Sequence, residues 1–206
     1  MIGNIKLILF DLDGVLINSI TNMETSWKKV QKDFNLSISF NKYSKHIGLP
    51  FKNILKKIGV KKDFDKIEKC YQFHSIKSIN KIKMYPNVKT TLKTLKKLNI
   101  KVGIVTSKDR KRTLKLLKKN KLNFEIIVTP KKNLRGKPNP DQLKKAIKIA
   151  KIDKKNTVYV GDMLVDFKAA KNSNINYIHT EYGYGKKNKI YKYSIKRFND
   201  IIQLVA

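Results

Sequence analysis

The sequence of 206 residues contains a single cysteine, Cys70. One cysteine excludes an intramolecular disulfide framework and is typical of a reducing compartment, so we expect a cytoplasmic protein. Cys70 lies in the helix-like segment KIEKCYQF. In such a segment we expect a small buried residue rather than a redox-active thiol.

Long apolar runs are also absent, and Asp11 ends the N-terminal run after a few residues. A membrane-spanning helix needs about 20 apolar residues, and a secretory signal needs an apolar region of at least about 7. We therefore expect neither a membrane span nor a signal of that kind. With 41% hydrophobic and 30% charged residues, the chain is typical of one large globular domain, or of one domain with a smaller insert.

Acidic residues are scarce: 15 Asp and Glu stand against 47 Lys and Arg, for a formal net charge of +32. Such an excess can indicate nucleic-acid binding, because Lys and Arg neutralise phosphates. Here lysine is dispersed along the whole chain, and arginine, which binds phosphate and guanine through paired hydrogen bonds, is rare. Isoleucine and asparagine are abundant too, and since these three residues share AT-rich codons, genome composition is the stronger explanation of the lysine content. Nucleic-acid binding is thus the less favoured alternative, and the charge is expected to attract small phosphorylated anions.

Short β-branched runs alternate with helical patterns in the second half of the chain. Strands are predicted at 6–11, 101–107, 124–130, 157–162 and 175–180. Apolar residues recur at helical spacing between them, as at Val88, Leu92 and Leu95. This alternation predicts an α/β fold with a Rossmann-like, doubly wound parallel sheet.

Residues 17–82 do not follow this alternation and look helical throughout, with segments near 20–34, after Pro50 and near 63–80. We therefore expect a small helical domain at 17–82, inserted between core segments 1–16 and 83–206.

The predicted strands end in polar residues, and ligands of an open parallel sheet bind beyond the carboxyl ends of its strands. The candidate side chains at these ends, and in the loop before residue 140, are Asp11, Asp13, Thr106, Ser107, Lys137, Asp162 and Asp166. Four converging carboxylates repel one another unless a cation neutralises them, and oxygen ligands suit Mg²⁺. A lysine and a hydroxyl in the same cleft suit a phosphate. An Asp-x-Asp pair alone is weak evidence, because such residues commonly begin turns.

Four stretches resemble, in order, the motifs of the haloacid dehalogenase superfamily of phosphohydrolases: DLDGVLINS (11–19), VTS (105–107), GKPNP (136–140) and GDMLVD (161–166). The resemblance spans the whole chain, and the helical segment looks like the cap of the subfamily whose insert follows the first motif. HIGLP (46–50) and EYGYG (181–185) are similar to stretches of phosphoglycolate phosphatase-like members. Val15 and Asn18 stand where threonine and aspartate are common, which leaves the catalytic prediction intact but weakens any substrate prediction.

The resemblance implies a role for each candidate residue. Asp11 would attack phosphorus and form an aspartyl-phosphate, and Asp13 would act as general acid and base. Asp162 would ligate Mg²⁺, whereas Asp166 would act through water or a hydrogen bond. The metal set implied is Asp11, Asp13 (through its backbone carbonyl), Asp162 and Asp166. The phosphate-binding set implied is Asp11, Leu12, Asp13, Thr106, Ser107 and Lys137.

The reaction implied is Mg²⁺-dependent hydrolysis of a small, phosphoglycolate-like phosphate monoester by a monomer or homodimer. Asp13 argues against the haloalkanoate and phosphonate branches of the superfamily, which lack an acid there. A phosphomutase of the β-phosphoglucomutase type is the alternative, since it uses the same core residues. Pyrophosphate and nucleotide monophosphates stay open as substrates.

The cap is expected to close over the substrate and to select the leaving group. Lys45 and His46, just before the GLP stretch, are candidates for that contact. The aromatic residues expected to form the core of the cap are Trp27, Phe34, Phe64, Tyr71 and Phe73.

Overall fold

In this computed structural model, which describes residues 2–205, strands and helices alternate along most of the chain. The strands are β1 (Leu7–Phe10), β2 (Ile17–Asn18), β3 (Lys83–Met84), β4 (Lys101–Val105), β5 (Ile126–Val128), β6 (Thr157–Gly161), β7 (Asn176–Thr180) and β8 (Tyr193–Ile195). The helices are α1 (Ile20–Asp33), α2 (Phe40–Ser44), α3 (Phe51–Ile58), α4 (Phe64–Lys77), α5 (Val88–Lys97), α6 (Arg110–Lys119), α7 (Asp141–Ala150), α8 (Leu164–Asn172) and α9 (Ile201–Val205). Short 3₁₀ turns occur at Ile79–Lys81, Lys154–Asn156 and Phe198–Asp200.

Six strands form one parallel sheet in the order β5-β4-β1-β6-β7-β8. Strand β1 is central, with Leu7 paired to Lys101 on one side and to Thr157 on the other. All four of its side chains, LILF, are fully buried. A continuous apolar run is what a strand covered on both faces requires. The five predicted strands are confirmed within a few residues of their ends, and β8 was not predicted.

Helices cover both faces of this sheet, which confirms the predicted doubly wound α/β fold. Ile8 and Phe10 of β1 belong to the apolar cluster that includes α5, α6 and α9. Leu7 and Leu9 belong to the opposite cluster, which includes α7 and α8. The alternation follows from the two-residue period of a strand, which sends successive side chains to opposite faces.

The helices α1–α4 lie between β2 and β3, which pair antiparallel through Ile17 with Met84 and Asn18 with Lys83. They enclose an apolar cluster of their own, centred on Trp27. The Trp27 ring stacks on Tyr43 at 4.9 Å, and its indole N–H donates to the Ile38 carbonyl at 2.8 Å. We call residues 17–82 the cap, and the division at 16/17 and 82/83 stays a prediction.

The expectation of an aromatic cap core is correct for four residues and wrong for one. Trp27 and Tyr71 are buried in the cap cluster, and Phe34 and Phe64 pack against it partly buried. Phe73 is 53% exposed, because its position on α4 faces solvent. Within residues 2–205, none of the helices combines the length and the apolar character that crossing a membrane requires.

Candidate active site

Three predicted site residues follow three neighbouring strands directly: Asp11 follows β1, Thr106 follows β4 and Asp162 follows β6. The backbone N–H of Asp11 donates to the Val160 carbonyl at 2.9 Å, and that of Thr106 to the Val128 carbonyl at 3.1 Å. The sheet hydrogen bonding thus continues beyond the strand ends and fixes the backbone from which these side chains extend. The topology brings them to one edge of the sheet, as the sequence predicted.

Asp11, Asp162 and Asp166 each bring one carboxylate oxygen to a point where all three lie within 4.8 Å of one another. All three residues are buried. Burial, only partly offset by Lys137, raises the pKa of Asp11 to about 7, and burial followed by repulsion from Asp166 raises that of Asp162. Among residues 2–205, Asp11 Oδ1 and Asp162 Oδ1 have no hydrogen-bond partner. Buried acceptors of this kind are costly unless a ligand satisfies them, and a hard divalent cation such as Mg²⁺ fits this donor set.

Lys137 lies between two of these carboxylates. Its Nζ donates to Asp166 Oδ1 at 2.6 Å and lies 3.2 Å from Asp11 Oδ2. Burial alone would lower the pKa of Lys137, but Asp11 and Asp166 outweigh it and raise that pKa, so the ammonium stays charged. The second oxygen of Asp166 accepts the Met163 backbone N–H at 2.9 Å. Both oxygens of Asp166 are therefore in use, which suits a residue that orients Lys137.

The Asp13 carboxylate lies outside this three-carboxylate cluster. Its Oδ1 accepts the Ser19 hydroxyl at 2.5 Å, and its Oδ2 lies 3.1 Å from Lys108 Nζ. Of the four acids expected around the metal, three thus bring their carboxylates together. If Asp13 binds the metal, it would do so through its backbone carbonyl, as the family resemblance implies.

That Leu12 and Ser107 bind phosphate stays a prediction, and their side chains make other contacts in the structure. The Leu12 side chain is buried in the core, while its backbone N–H favours the ionised form of Asp11. The Ser107 hydroxyl donates to the Gly48 carbonyl at 2.6 Å and so joins the core to the cap. Thr106 lines the cavity beside Asp11, where its hydroxyl also accepts the Lys108 N–H at 3.2 Å.

Lys108 and Arg112 were missed by the sequence reasoning, although both are buried beside the site. Arg112 pairs with Asp109, donates to Ser75 Oγ of the cap at 3.2 Å, and lies 5.3 Å from the centre of the Tyr71 ring. Lysine is so common in this sequence that no local signal singles out Lys108. The rarity of arginine was the one available signal for Arg112.

The turn after β1 requires a glycine. Gly14 has φ +80°, and a Cβ at this position would overlap the Asp162 carboxylate. Tyr184 holds the same carboxylate from the other side, donating its backbone N–H to Asp162 Oδ2 at 2.7 Å. Its hydroxyl accepts the Ser19 N–H at 2.6 Å. The EYGYG stretch, predicted only from its likeness to other sequences, thus joins the first and fourth motifs.

A cavity of about 50 Å³ lies between this cluster and the cap. It is lined by Asp11, Asp13, Met23, Tyr43, Ile47, Gly48, Leu49, Phe51, Ile54, Tyr71, Thr106, Ser107, Lys108 and Arg112. A cavity that holds a single water has a volume of about 10–15 Å³, so this cavity suits one compact ligand. The cap candidates Lys45 and His46 do not line it; the next three residues of their loop do.

A family model described as haloacid dehalogenase-like hydrolase matches residues 8–180. A pyrophosphatase PpaX from Oceanobacillus iheyensis is 29% identical over 98% of both chains. A phosphoglycolate phosphatase from Aquifex aeolicus is 27% identical over 97% of this chain and 96% of its own. A solved haloacid dehalogenase-like hydrolase from Streptococcus pneumoniae has the same fold: TM-score 0.86, with 18% identity over 98% of this chain and 99% of the other.

Proposed function

Because this chain belongs to the haloacid dehalogenase-like hydrolase family, we propose that it is a Mg²⁺-dependent phosphatase that hydrolyses a small phosphate monoester through an aspartyl-phosphate on Asp11. The position of Asp11 carries the proposal. Its carboxylate borders the cavity, with one oxygen 3.2 Å from Lys137 Nζ and the other without a partner among residues 2–205. A carboxylate held this way offers a free oxygen to a ligand in the cavity.

In the first half-reaction, a carboxylate oxygen of Asp11 bonds to phosphorus while the bond from phosphorus to the leaving oxygen breaks. Lys137, which the adjacent carboxylates keep charged, offsets negative charge as phosphate approaches. Asp13 borders the same cavity and donates a proton to the leaving oxygen. The Thr106 hydroxyl, at the same wall, positions a phosphoryl oxygen.

In the second half-reaction, water attacks the phosphorus of the aspartyl-phosphate. Asp13, left ionised by the first step, takes the proton from that water. The bond from phosphorus to the Asp11 oxygen breaks, which releases inorganic phosphate and restores both carboxyl groups to their starting states.

Asp162, through its free oxygen, and Asp11, through the oxygen that does not attack phosphorus, would hold Mg²⁺, while Asp166 orients Lys137. When bound, the ion supplies charge neutralisation that lets an anionic phosphate approach anionic carboxylates. Asp11 then provides the nucleophile, Asp13 provides the proton, and Thr106 positions the phosphoryl group.

A pair of cationic residues in the lining of the cavity supports a substrate with a second anionic group. They are Lys108 and Arg112, and both are buried. Lys108 pairs with Asp13 and Arg112 with Asp109, but a guanidinium has five N–H donors, so Arg112 is the cation better placed to meet a leaving group. Phosphoglycolate carries a carboxylate there, so we propose it as the substrate. Pyrophosphate, which carries a second phosphate, is the second candidate, and the relative named pyrophosphatase PpaX favours it.

The test is phosphate release from phosphoglycolate, pyrophosphate, hexose phosphates and p-nitrophenyl phosphate, with and without Mg²⁺. We expect release only with Mg²⁺, and its loss in Asp11→Asn. Asp65→Asn, at an exposed acid of the cap, is the matched control and should keep full activity. Intact mass after acid quenching should show one added phosphoryl group on the wild type.

Three results would contradict the proposal. Isomerised hexose phosphate without phosphate release would indicate a mutase. Activity retained in Asp11→Asn would exclude the aspartyl-phosphate. Absence of any release, together with salt-dependent DNA binding, would favour the nucleic-acid alternative.

A further inference from the structure

Three side chains able to ligate a metal converge on the cap, away from the residues of the catalytic cluster. They are Asp33 at the end of α1, and Cys70 and His74 on α4. Cys70 Sγ donates to Asp33 Oδ2 at 3.3 Å, and His74 Nε2 lies 3.4 Å from the same oxygen. One ligand atom from each of the three residues lies within 4.8 Å of the other two.

The two separations from Asp33 Oδ2 match the edges of a tetrahedral metal site. Zinc binds sulfur at about 2.3 Å, nitrogen at about 2.0–2.1 Å and carboxylate oxygen at about 2.0–2.2 Å, so neighbouring ligands of a tetrahedron lie about 3.3–3.6 Å apart. The sulfur–oxygen and nitrogen–oxygen distances here are 3.3 and 3.4 Å. Two of the three edges therefore already have a suitable length, and the third, from sulfur to the imidazole nitrogen, is within 4.8 Å.

Helix geometry explains the convergence. Cys70 and His74 are four residues apart on α4, so their side chains lie one turn apart on the same face. That face meets the end of α1, and the two helices pack closely along the cap. Asp33 is exposed and the other two are half-buried, so an ion can enter from solvent and keep one water as a fourth ligand.

The chemistry of the donors selects the metal. Thiolate and imidazole favour zinc and related transition metals over Mg²⁺, which prefers oxygen ligands alone. One thiolate and one carboxylate balance a divalent cation, so the occupied site adds no charge to a surface already rich in lysine. We propose that Asp33, Cys70 and His74 form a Zn²⁺ site that joins α1 to α4 and stabilises the cap.

The test is a Co²⁺ titration of the full chain with Mg²⁺ in excess to occupy oxygen-ligand sites. Cys70 is the only cysteine in the sequence, so a thiolate-to-cobalt charge-transfer band can arise only from that residue. We expect this band to appear at one Co²⁺ per chain and to vanish when Zn²⁺ is added. Cys70→Ala and His74→Gln should abolish it, whereas His46→Gln, at a cap histidine outside the cluster, should keep it.

Thermal unfolding gives a second readout. Zn²⁺ should raise the melting temperature of the wild type and of His46→Gln, but not that of Cys70→Ala or His74→Gln. Absence of the cobalt band in the wild type would overturn the proposal. Equal Zn²⁺ shifts in the wild type and both cluster variants would also overturn it, because the metal would then be binding elsewhere.

Discussion

Two buried cations that line the cavity, Lys108 and Arg112, have different polar partners. Lys108 pairs with Asp13, and burial lowers its pKa in spite of that pair. Arg112 pairs with Asp109 of its own helix turn and reaches Ser75 of the cap. A guanidinium presents five N–H donors. Arg112 therefore keeps donors for a substrate anion, while Lys108 serves chiefly to hold Asp13.

Arg112→Gln should weaken recognition of a second anionic group. Hydrogen bonds to charged groups contribute about 1.5–3 kcal/mol, so KM for phosphoglycolate should rise about tenfold to a hundredfold. KM for p-nitrophenyl phosphate, whose leaving group is an uncharged ring in the ester, should change little, and so serves as the control in the same variant. Equal changes in KM for both substrates would show that Arg112 acts on the fold rather than on the leaving group.

At the scale of elements, the turn between β1 and β2 depends on Gly14, where a left-handed backbone coincides with a close approach to Asp162. Gly59, which ends α3, also has positive φ, but a Cβ there meets no atom of the described residues within 4 Å. A substitution at Gly59 therefore adds backbone strain alone, whereas one at Gly14 adds backbone strain and also displaces the Asp162 carboxylate.

Gly59→Ala should cost only the left-handed strain of an L-residue, roughly 1–2 kcal/mol of unfolding free energy. Gly14→Ala should cost more and also lower Mg²⁺ affinity, because the new methyl group displaces the Asp162 carboxylate. Urea unfolding and Mg²⁺ titration of both variants measure these effects. Equal Mg²⁺ affinity in the two variants would argue against a role of this turn in holding Asp162.

Strand β7 carries a buried histidine, His179, whose two ring nitrogens lack hydrogen-bond partners among residues 2–205. Its ring stacks on Tyr191 at 4.6 Å. Burial lowers the pKa of His179 below its ordinary value, because the charged ring loses hydration. The folded chain thus takes up this proton at lower pH than the unfolded chain does.

The free energy of unfolding should therefore fall as pH drops below about 6.5, the ordinary pKa of histidine, since the unfolded state then binds the extra proton. His179→Phe keeps the ring and its stacking but cannot titrate. The stability difference between wild type and His179→Phe, followed by urea unfolding from pH 8 to pH 5, should shift in favour of the variant at acid pH. If the difference stays constant over this range, His179 is not the group whose protonation lowers the stability.

At the scale of the whole molecule, negative charge is concentrated at one point of a strongly basic protein. The chain carries a net +32, yet three buried carboxylates meet at the candidate site with Lys137 as the cation between two of them. A ligand that binds only the folded state stabilises it in proportion to the logarithm of its concentration.

Mg²⁺ should therefore raise the melting temperature of the wild type, and a chelator should reverse the rise. At about 100 times its dissociation constant the ion contributes about 2.7 kcal/mol. Asp162→Asn should lose this shift, whereas Asp65→Asn should keep it. A Mg²⁺ shift of the same size in Asp162→Asn would place the ion elsewhere.

Most of the sheet, and the convergence of Asp11, Asp162 and Asp166, could be predicted because both depend on local sequence patterns. Strand β1 is continuous and apolar, and Asp11 follows it at once. Strand β8 was missed because its three residues, Tyr193, Ser194 and Ile195, form a short edge strand with little apolar pattern.

The contacts between core and cap could not be predicted, since they join residues far apart in the sequence. The Ser107 hydroxyl donates to Gly48, 59 positions away, and Arg112 donates to Ser75, 37 positions away. No period or motif encodes such pairs. Phe73 was misplaced for a related reason: its apolar character alone does not fix which side of α4 packs inward.

The HIGLP loop of the cap touches parts of the core that belong to different motifs. Gly48 accepts the hydrogen bond of Ser107, and Pro50 packs against Gly136, the neighbour of Lys137. Movement of the cap away from the core would therefore break its contacts with two loops at once, the one that carries Thr106 and the one that carries Lys137. Arg112 adds a further bond, donating to Ser75 Oγ of the cap at 3.2 Å, and each such hydrogen bond contributes about 0.5–1.5 kcal/mol net. A substitution in the HIGLP loop should therefore disturb the placement of Thr106 and Lys137 as well as that of the cap.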